Sequence, residues 1–291
     1  MFGYASAISD VRVTLGDKHY DCLQKVHAVG RDIVMGFAGS VKVGFAMIER
    51  MRELLHVDDE NIGWIPEAVA EWWPADARVL FTEADEDERQ AGCHLLMIGA
   101  HPSEDVGIPG WARTFGCIFR APDFAPEVIA VNKIASIGCG EQAQPCIEAV
   151  EEILREDLPF QGETGNPGGM AQIIGMALTR RLQESQPYGI SDHLHCCWVF
   201  RRNIRIRAND HVRNGAWTVM DAGPGVLSTE ILPSIVERTP VVEGSHVFRM
   251  PKIVSTWPDL QSLFNDNGLT AEGAVALCSG TPARGHLRVS S

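Results

Sequence analysis

The sequence predicts an α+β protein in which two sheets stack face to face and pairs of helices cover them on the outside, a four-layer αββα order. Three observations predict it. The hydrophobic period changes in mid-course at Gly39-Ser40, within the stretch of residues 25–51, from a continuous apolar run to helical spacing. The coarse order along the chain is strands, two helices, strands, two helices, strands. At 291 residues and 45% hydrophobic composition, the chain can bury a substantial core.

The chain opens with an apolar, small-residue stretch at residues 1–8 that reads as a strand or its edge. Asp10, Arg12 and Thr14 follow, then a polar turn at residues 15–18. Residues 22–29 alternate loosely and pair in a hairpin with residues 33–38 across Gly30-Arg31-Asp32. That second run, Ile33, Val34, Met35, Gly36, Phe37 and Ala38, has no polar interruption, which suits a strand buried on both faces. Beyond it Val41, Phe45, Ile48, Leu54 and Leu55 fall near helical spacing, with Lys42, Glu49, Arg50, Arg52 and Glu53 on the polar face. Ser40 stands where an N-cap belongs, and Gly39 permits a sharp turn that presents backbone N–H groups at the positive end of the helix.

A second helix begins at Pro66 and is expected to stop at Pro74, with Trp72 and Trp73 as packing residues. Residues 82–90, TEADEDERQ, read as a solvated loop. Strand candidates follow at residues 93–99, 115–120, 127–131 and 133–137. Gly138-Cys139-Gly140 introduces a helix over residues 141–155, and a Gly-rich loop at 162–169 precedes another over 170–182. Strands return after Ser191-Asp192, at residues 198–200 and 205–207. A domain over residues 1–228 is followed by an extension, residues 229–291, with short elements at 259–265 and 271–277 and a disordered Gly/Pro/Arg/Ser tail.

Charge and composition exclude several classes. Lys and Arg number 25 against 38 Asp and Glu, and the net charge of −13 argues against a general nucleic-acid binder. No apolar run is long enough for a helical membrane span, and the first residues lack a signal-peptide pattern, so a cytoplasmic protein without membrane partners is expected. The eight cysteines form no CxxC pair and read as reduced, mostly buried thiols. His193, His195, Cys196 and Cys197 supply no closed ligand set, and no metal or cofactor is expected. The loops at 138–140 and 162–169 lack the P-loop and GxGxxG patterns, which disfavours a plain anion-binding module.

The strand before Asp10-x-Arg12-x-Thr14, Lys25-Val26 in the next strand, Gly36-Phe37-Ala38-Gly39-Ser40 leading into a helix, and Ile137-Gly138-Cys139-Gly140 opening another together resemble the proteasome and HslV type of N-terminal nucleophile (Ntn) hydrolase. The spacing carries the resemblance: 15 positions from Asp10 to Lys25 and 14 from Lys25 to Gly39, within about residues 1–220. The resemblance implies a threonine-type peptidase whose nucleophile is residue one of the processed chain. Such chemistry needs a cation near the nucleophile, a carboxylate to hold that cation and backbone N–H groups for the oxyanion. By resemblance Lys25 is the cation, Asp10 its carboxylate and Gly39 the oxyanion donor. Read locally, Lys25 is equally a strand residue with its ammonium in water, Asp10 a turn cap and Gly39 a turn glycine.

Two positions depart from the family pattern. Cys139 stands in a Gly-Cys-Gly where Gly-Ser-Gly is usual, and Asp192 resembles a second supporting Asp but is followed at the third position by His195 rather than Ser. The nucleophile-bearing first strand is missing, since it would precede residue 1. The expectation is therefore a proteasome-like amide hydrolase whose reading frame begins upstream and whose substrate is a peptide or another amide. The alternative is a non-catalytic ring subunit; either form is expected to be a ring-type homo-oligomer.

Overall fold

The computed structural model describes residues 4–57, 63–102, 112–130, 133–138, 144–155, 178, 182, 190–191, 193–200, 203–208, 218–222 and 247–276. The protein is mixed α+β, and among the described residues its strands form two sheets. Strands β1 (Tyr4–Asp10), β9 (Leu194–Phe200), β10 (Asn203–Ala208) and β11 (Thr218–Ala222) make an antiparallel four-stranded sheet in that order, with β1 at its edge.

The nine-stranded sheet begins with β12 (Val247–Val254), which pairs in parallel with β3 (Lys18–Leu23). It continues through β2 (Arg12–Leu15), β13 (Val275–Ala276), β5 (Ile33–Ser40), β6 (Cys93–Pro102), β7 (Ala112–Arg120) and β8 (Glu127–Val128). Strand β4 (Val26–Ala28) pairs with β5 beside β13: Val34 to Gly36 meet β4, whereas Gly39 and Ser40 meet β13.

The expected change of period at Gly39-Ser40 is the junction of β5 with helix α1 (Val41–Leu55). Ser40 caps the helix by accepting a hydrogen bond from the Val43 N–H at 3.1 Å. Gly39 has φ +103°, and a Cβ there would overlap the Gly92 carbonyl, so this turn requires glycine. Within α1, Gly44 meets the Phe37 ring so closely that a Cβ would overlap it, which lets the helix lie flat on β5. Phe45, Met47, Ile48 and Met51 fill the core beneath it.

Helix α2 (Pro66–Glu83) corrects the expected stop at Pro74, which lies inside it. The proline forgoes one backbone hydrogen bond. Val69, Trp73 and Ala77 nevertheless continue as fully buried residues on both sides of it, and that packing carries the helix through. The charge run is likewise not a loop. Its first residues finish α2 and its last belong to α3 (Glu86–Ala91), whose acidic first turn suits the positive end of a helix. Glu88 on α3 is buried and accepts a hydrogen bond from the Ser40 hydroxyl, fixing α3 against the start of α1.

Helices α1 and α2 pack on the nine-stranded sheet through one large apolar cluster that includes Val13, Met35, Phe45, Trp73, Leu95 and Phe119. A second cluster joins the two sheets: Ala7, Cys197, Val199 and Ile204 from the smaller meet Val34 and Ile98 from the larger. A third sets Ile147 and Val150 of helix α4 (Gln144–Arg155), with helical Leu178 and Leu182, against Ile8 and Leu194 of the smaller sheet.

Helix α5 (Trp257–Asn265) packs Leu260, Leu263 and Phe264 into the large cluster, and Phe264 meets Tyr20 of β3. Residues 247–276, which the sequence places in an extension, thus supply β12, α5 and β13 to the larger sheet and its cover. Residues 133–137, expected as a strand, form none. The Gly-rich loop at 162–169, most of the helix expected at 170–182 and the tail beyond residue 276 lie outside the described residues.

Candidate functional site

Lys25 and Asp10 meet where β1 of the smaller sheet ends and β4 of the larger begins. The Lys25 Nζ donates to both carboxylate oxygens of Asp10, at 2.9 and 3.0 Å, and the side chains are only 4% and 1% exposed. Both are placed by backbone. Asp10 ends β1, where its Oδ1 also accepts from the Arg12 N–H at 2.7 Å. Lys25 immediately precedes β4, and its carbonyl accepts from the Phe37 N–H of β5 at 3.2 Å. Two opposite charges taken out of water in this way cost several kcal/mol each, and only close bidentate geometry offsets that cost.

A second buried ion pair stands beside the first. Arg12 donates through Nε to Asp21 Oδ1 at 2.8 Å and through Nη2 to Asp21 Oδ2 at 3.2 Å. Its Nη1 reaches the Ile190 carbonyl at 3.0 Å, and the Ser191 hydroxyl donates to Asp21 at 2.8 Å. Ser191 in turn accepts from the His193 N–H at 3.1 Å. The network ties the β2–β3 hairpin to the approach to β9. Burial alone would raise the Asp21 carboxyl, but the hydrogen bonds and charge of Arg12, with the Ser191 hydroxyl, outweigh it and hold the group below the usual carboxylate range.

His27, two residues after Lys25, and His195 are both buried. His27 hydrogen-bonds the Gln24 carbonyl at 2.9 Å and stacks on Phe37. Burial first, then the Arg52 charge, push its pKa down to about 3. His195 on β9 is also pushed to about 3, by burial first, then by His193 and Lys25. Both are neutral at neutral pH. Burial pushes the Cys93 and Cys117 thiols up to about 12 and raises that of Cys22 further, so none of these is a thiolate nucleophile.

Of the residues singled out by sequence, the structure brings Lys25 and Asp10 together and puts Gly39 at the strand-to-helix turn. Gly39 is flanked on both sides, opposite Cys93 of β6 and Ala276 of β13. Cys139 and Asp192 lie outside the described residues. Sequence reading missed Asp21, Ser191 and Glu88. Asp21 had a signal: residues 12 and 21 are equally far from the Gly16-Asp17 turn, so a tight hairpin sets them opposite each other, as observed. Ser191 and Glu88 meet their partners across 170 and 48 residues, which no local pattern encodes.

Among the described residues no group of His, Cys, Asp and Glu is placed to hold a metal ion, and no helix is long and apolar enough to cross a membrane. No protein-family model matches the chain, and no curated protein matches it.

Proposed function

We propose that this chain is a proteasome-like Ntn hydrolase, a threonine-type peptidase in its active form, with the buried Lys25–Asp10 pair as its activating machinery. The observation that carries the reading is that pair, bidentate and almost fully buried where β1 of the smaller sheet ends and β4 of the larger begins. A lysine there lowers the cost of deprotonating a neighbouring hydroxyl and stabilises the charge that develops on it. The three apolar clusters, which join α1 and α2 to one sheet, that sheet to the other, and the other to α4, support a four-layer αββα sandwich.

In this reading Asp10 holds the lysine, Arg12, Asp21 and Ser191 brace the approach to β9, and Asp192 is a second supporting Asp by resemblance alone. Gly39 is the oxyanion donor in the family pattern. In the structure it stands between β6 and β13, opposite Cys93 and Ala276. In the family pattern the nucleophile, Thr, Ser or Cys, stands on the strand next to the one that Asp10 ends; among the described residues β1 is at the edge of the smaller sheet. The substrate is a peptide or related amide, the assembly a homo-oligomeric ring and the compartment the cytoplasm.

One observation favours a second reading, a non-catalytic ring subunit: among the described residues no Thr, Ser or Cys hydrogen-bonds to Lys25. The test is to express the reading frame together with its upstream codons and determine the mature N-terminus by intact mass. A chain processed to begin with Thr, Ser or Cys, running as a ring by light scattering, supports the hydrolase. A stop codon directly before Met1, with a stable 291-residue ring, favours the non-catalytic subunit.

A further inference from the structure

Beside the Lys25–Asp10 pair, strands β1 and β9 carry Ser9 and His195 as register partners. Ala5 and Ala7 of β1, and Cys197 and Val199 of β9, belong to the cluster that joins the two sheets. Side chains alternate along a strand, so Ser9 and His195 share that inward face. Partners on one face of an antiparallel pair have Cβ atoms roughly 4.5–5.5 Å apart. The Ser9 Oγ and the His195 Nδ1 are both buried without a hydrogen-bond partner, and His195 as a residue is 2% exposed. Ser9 directly precedes Asp10, whose carboxylate oxygens hold the Lys25 Nζ at 2.9 and 3.0 Å, and the Lys25 charge acts on the His195 ring. Of its three ammonium hydrogens, two are committed to the oxygens of Asp10.

A buried hydroxyl and a buried ring nitrogen without partners each cost about 1–3 kcal/mol, and native interiors rarely leave such groups unmet. The polarity of the place selects what meets them. Among the described residues Asp10 cancels Lys25, Asp21 cancels Arg12, and His195 is neutral, so they leave no net charge to offer an anion or a cation. It offers a donor in Lys25, a donor and acceptor in Ser9, and an imidazole nitrogen. A ligand matching all three is small, neutral and hydroxylic, and water is the simplest case.

We propose that Ser9, His195 and the remaining ammonium hydrogen of Lys25 form a buried site between the two sheets that binds one water molecule. The water accepts from Lys25 and exchanges hydrogen bonds with the Ser9 hydroxyl and the His195 Nδ1. The site rests on the register of β1 and β9 and stands whether or not the chain hydrolyses amides. Where the hydrolase reading holds, it keeps a molecule of the second reactant next to the activating lysine.

The test is a high-resolution crystal structure of the wild-type chain, with NMR of protein labelled with ¹⁵N-histidine. The expected result is a water within about 2.7–3.2 Å of the Ser9 Oγ, the His195 Nδ1 and the Lys25 Nζ. The His195 ring should show a cross-peak to bound water that is lost in Ser9→Val, in which an apolar side chain replaces the hydroxyl. Should Ser9→Val not fold, the wild-type density decides alone. A direct Ser9–His195 hydrogen bond with no density between them and Lys25 overturns the proposal. Absence of peptidase activity with the water present leaves the site standing and removes only the hydrolase reading.

Discussion

Replacing Lys25 by Met separates a structural ion pair from an incidental one. The substitution keeps the apolar stem and deletes the ammonium, leaving the Asp10 carboxylate 1% exposed and still accepting from the Arg12 N–H. Breaking one side of a buried pair costs about 3–5 kcal/mol, because the other charge stays buried and unmatched. Against a total stability of about 5–15 kcal/mol that is a large fraction. Chemical denaturation of the single variants Lys25→Met and Asp10→Asn and of the double variant closes a cycle. The double variant buries no charge at this point and should be more stable than Lys25→Met. Lys42–Asp85 provides an internal control: the pair is as short, 2.8 Å, but its side chains are 43% and 73% exposed. Lys42→Met should change stability little, since solvent screens such pairs. If Lys25→Met cost no more than Lys42→Met, or the double variant were no more stable than the single, the buried-pair argument would be wrong.

Three further outcomes follow from the same geometry. Gly39→Ala should destabilise by roughly 3 kcal/mol or more in denaturant melts, since it combines a left-handed φ with a Cβ that overlaps the Gly92 carbonyl. Gly16→Ala, at φ +62° with nothing near its Cβ, should cost less, about 1 kcal/mol. Ser40→Ala should cost more than the ~1 kcal/mol of a lost N-cap, because it also strands the buried Glu88 carboxylate; adding Glu88→Gln should recover part of the difference in a thermal melt. Stability should fall as the pH is lowered from about 6.5 towards 3. In that window His27 and His195 take up protons in the unfolded chain, where their pKa is about 6.5, and stay neutral in the folded one. The slope approaches ~1.4 kcal/mol per pH unit for each histidine, and Asp21 extends the loss to lower pH as its depressed carboxyl is protonated. Urea melts between pH 4 and 8 read this, and a flat profile would mean that the two imidazoles are hydrated in the fold.

What was legible in the sequence was local and periodic. The change from an unbroken apolar run to helical spacing at Gly39-Ser40 is where β5 becomes α1, because one residue supplies the positive φ and the next the cap. The polar turn expected at residues 15–18 is the β2–β3 turn, where Gly16 supplies the positive φ. What was not legible depends on partners far along the chain. Pro74 is a sound stop signal in isolation, overridden here by the burial of Trp73 and Ala77. The charge run conceals α3 because Glu88 is satisfied by Ser40, a residue that local composition does not mention. Strand β13 is two residues long and carries no alternation of its own; it exists because β2 and β5 on either side supply its hydrogen-bonding partners.

The site divides in the same way. The family resemblance put Asp10 and Lys25 in mutual reach, and they meet at 2.9 Å. That His195 opposes Ser9 depends on the pairing of β1 with β9, 186 residues apart in the chain, and only the folded sheet reveals it. The polarity of this region is therefore richer than a lysine and a carboxylate. It holds two cancelling ion pairs and the neutral His195 imidazole beside a cluster built from alanine, valine, isoleucine and cysteine.

The central claim is that Lys25 activates a nucleophile. Its most direct test is the rate at which protein made with its upstream codons cleaves a panel of fluorogenic peptide amides, wild type against Lys25→Ala. The account predicts measurable turnover that falls by about 10²–10⁴ in the variant, the range that a positioned proton-handling group contributes, with the variant still folded by circular dichroism. Equal rates for wild type and Lys25→Ala would contradict it, and so would a correctly assembled wild type that cleaves nothing in the panel.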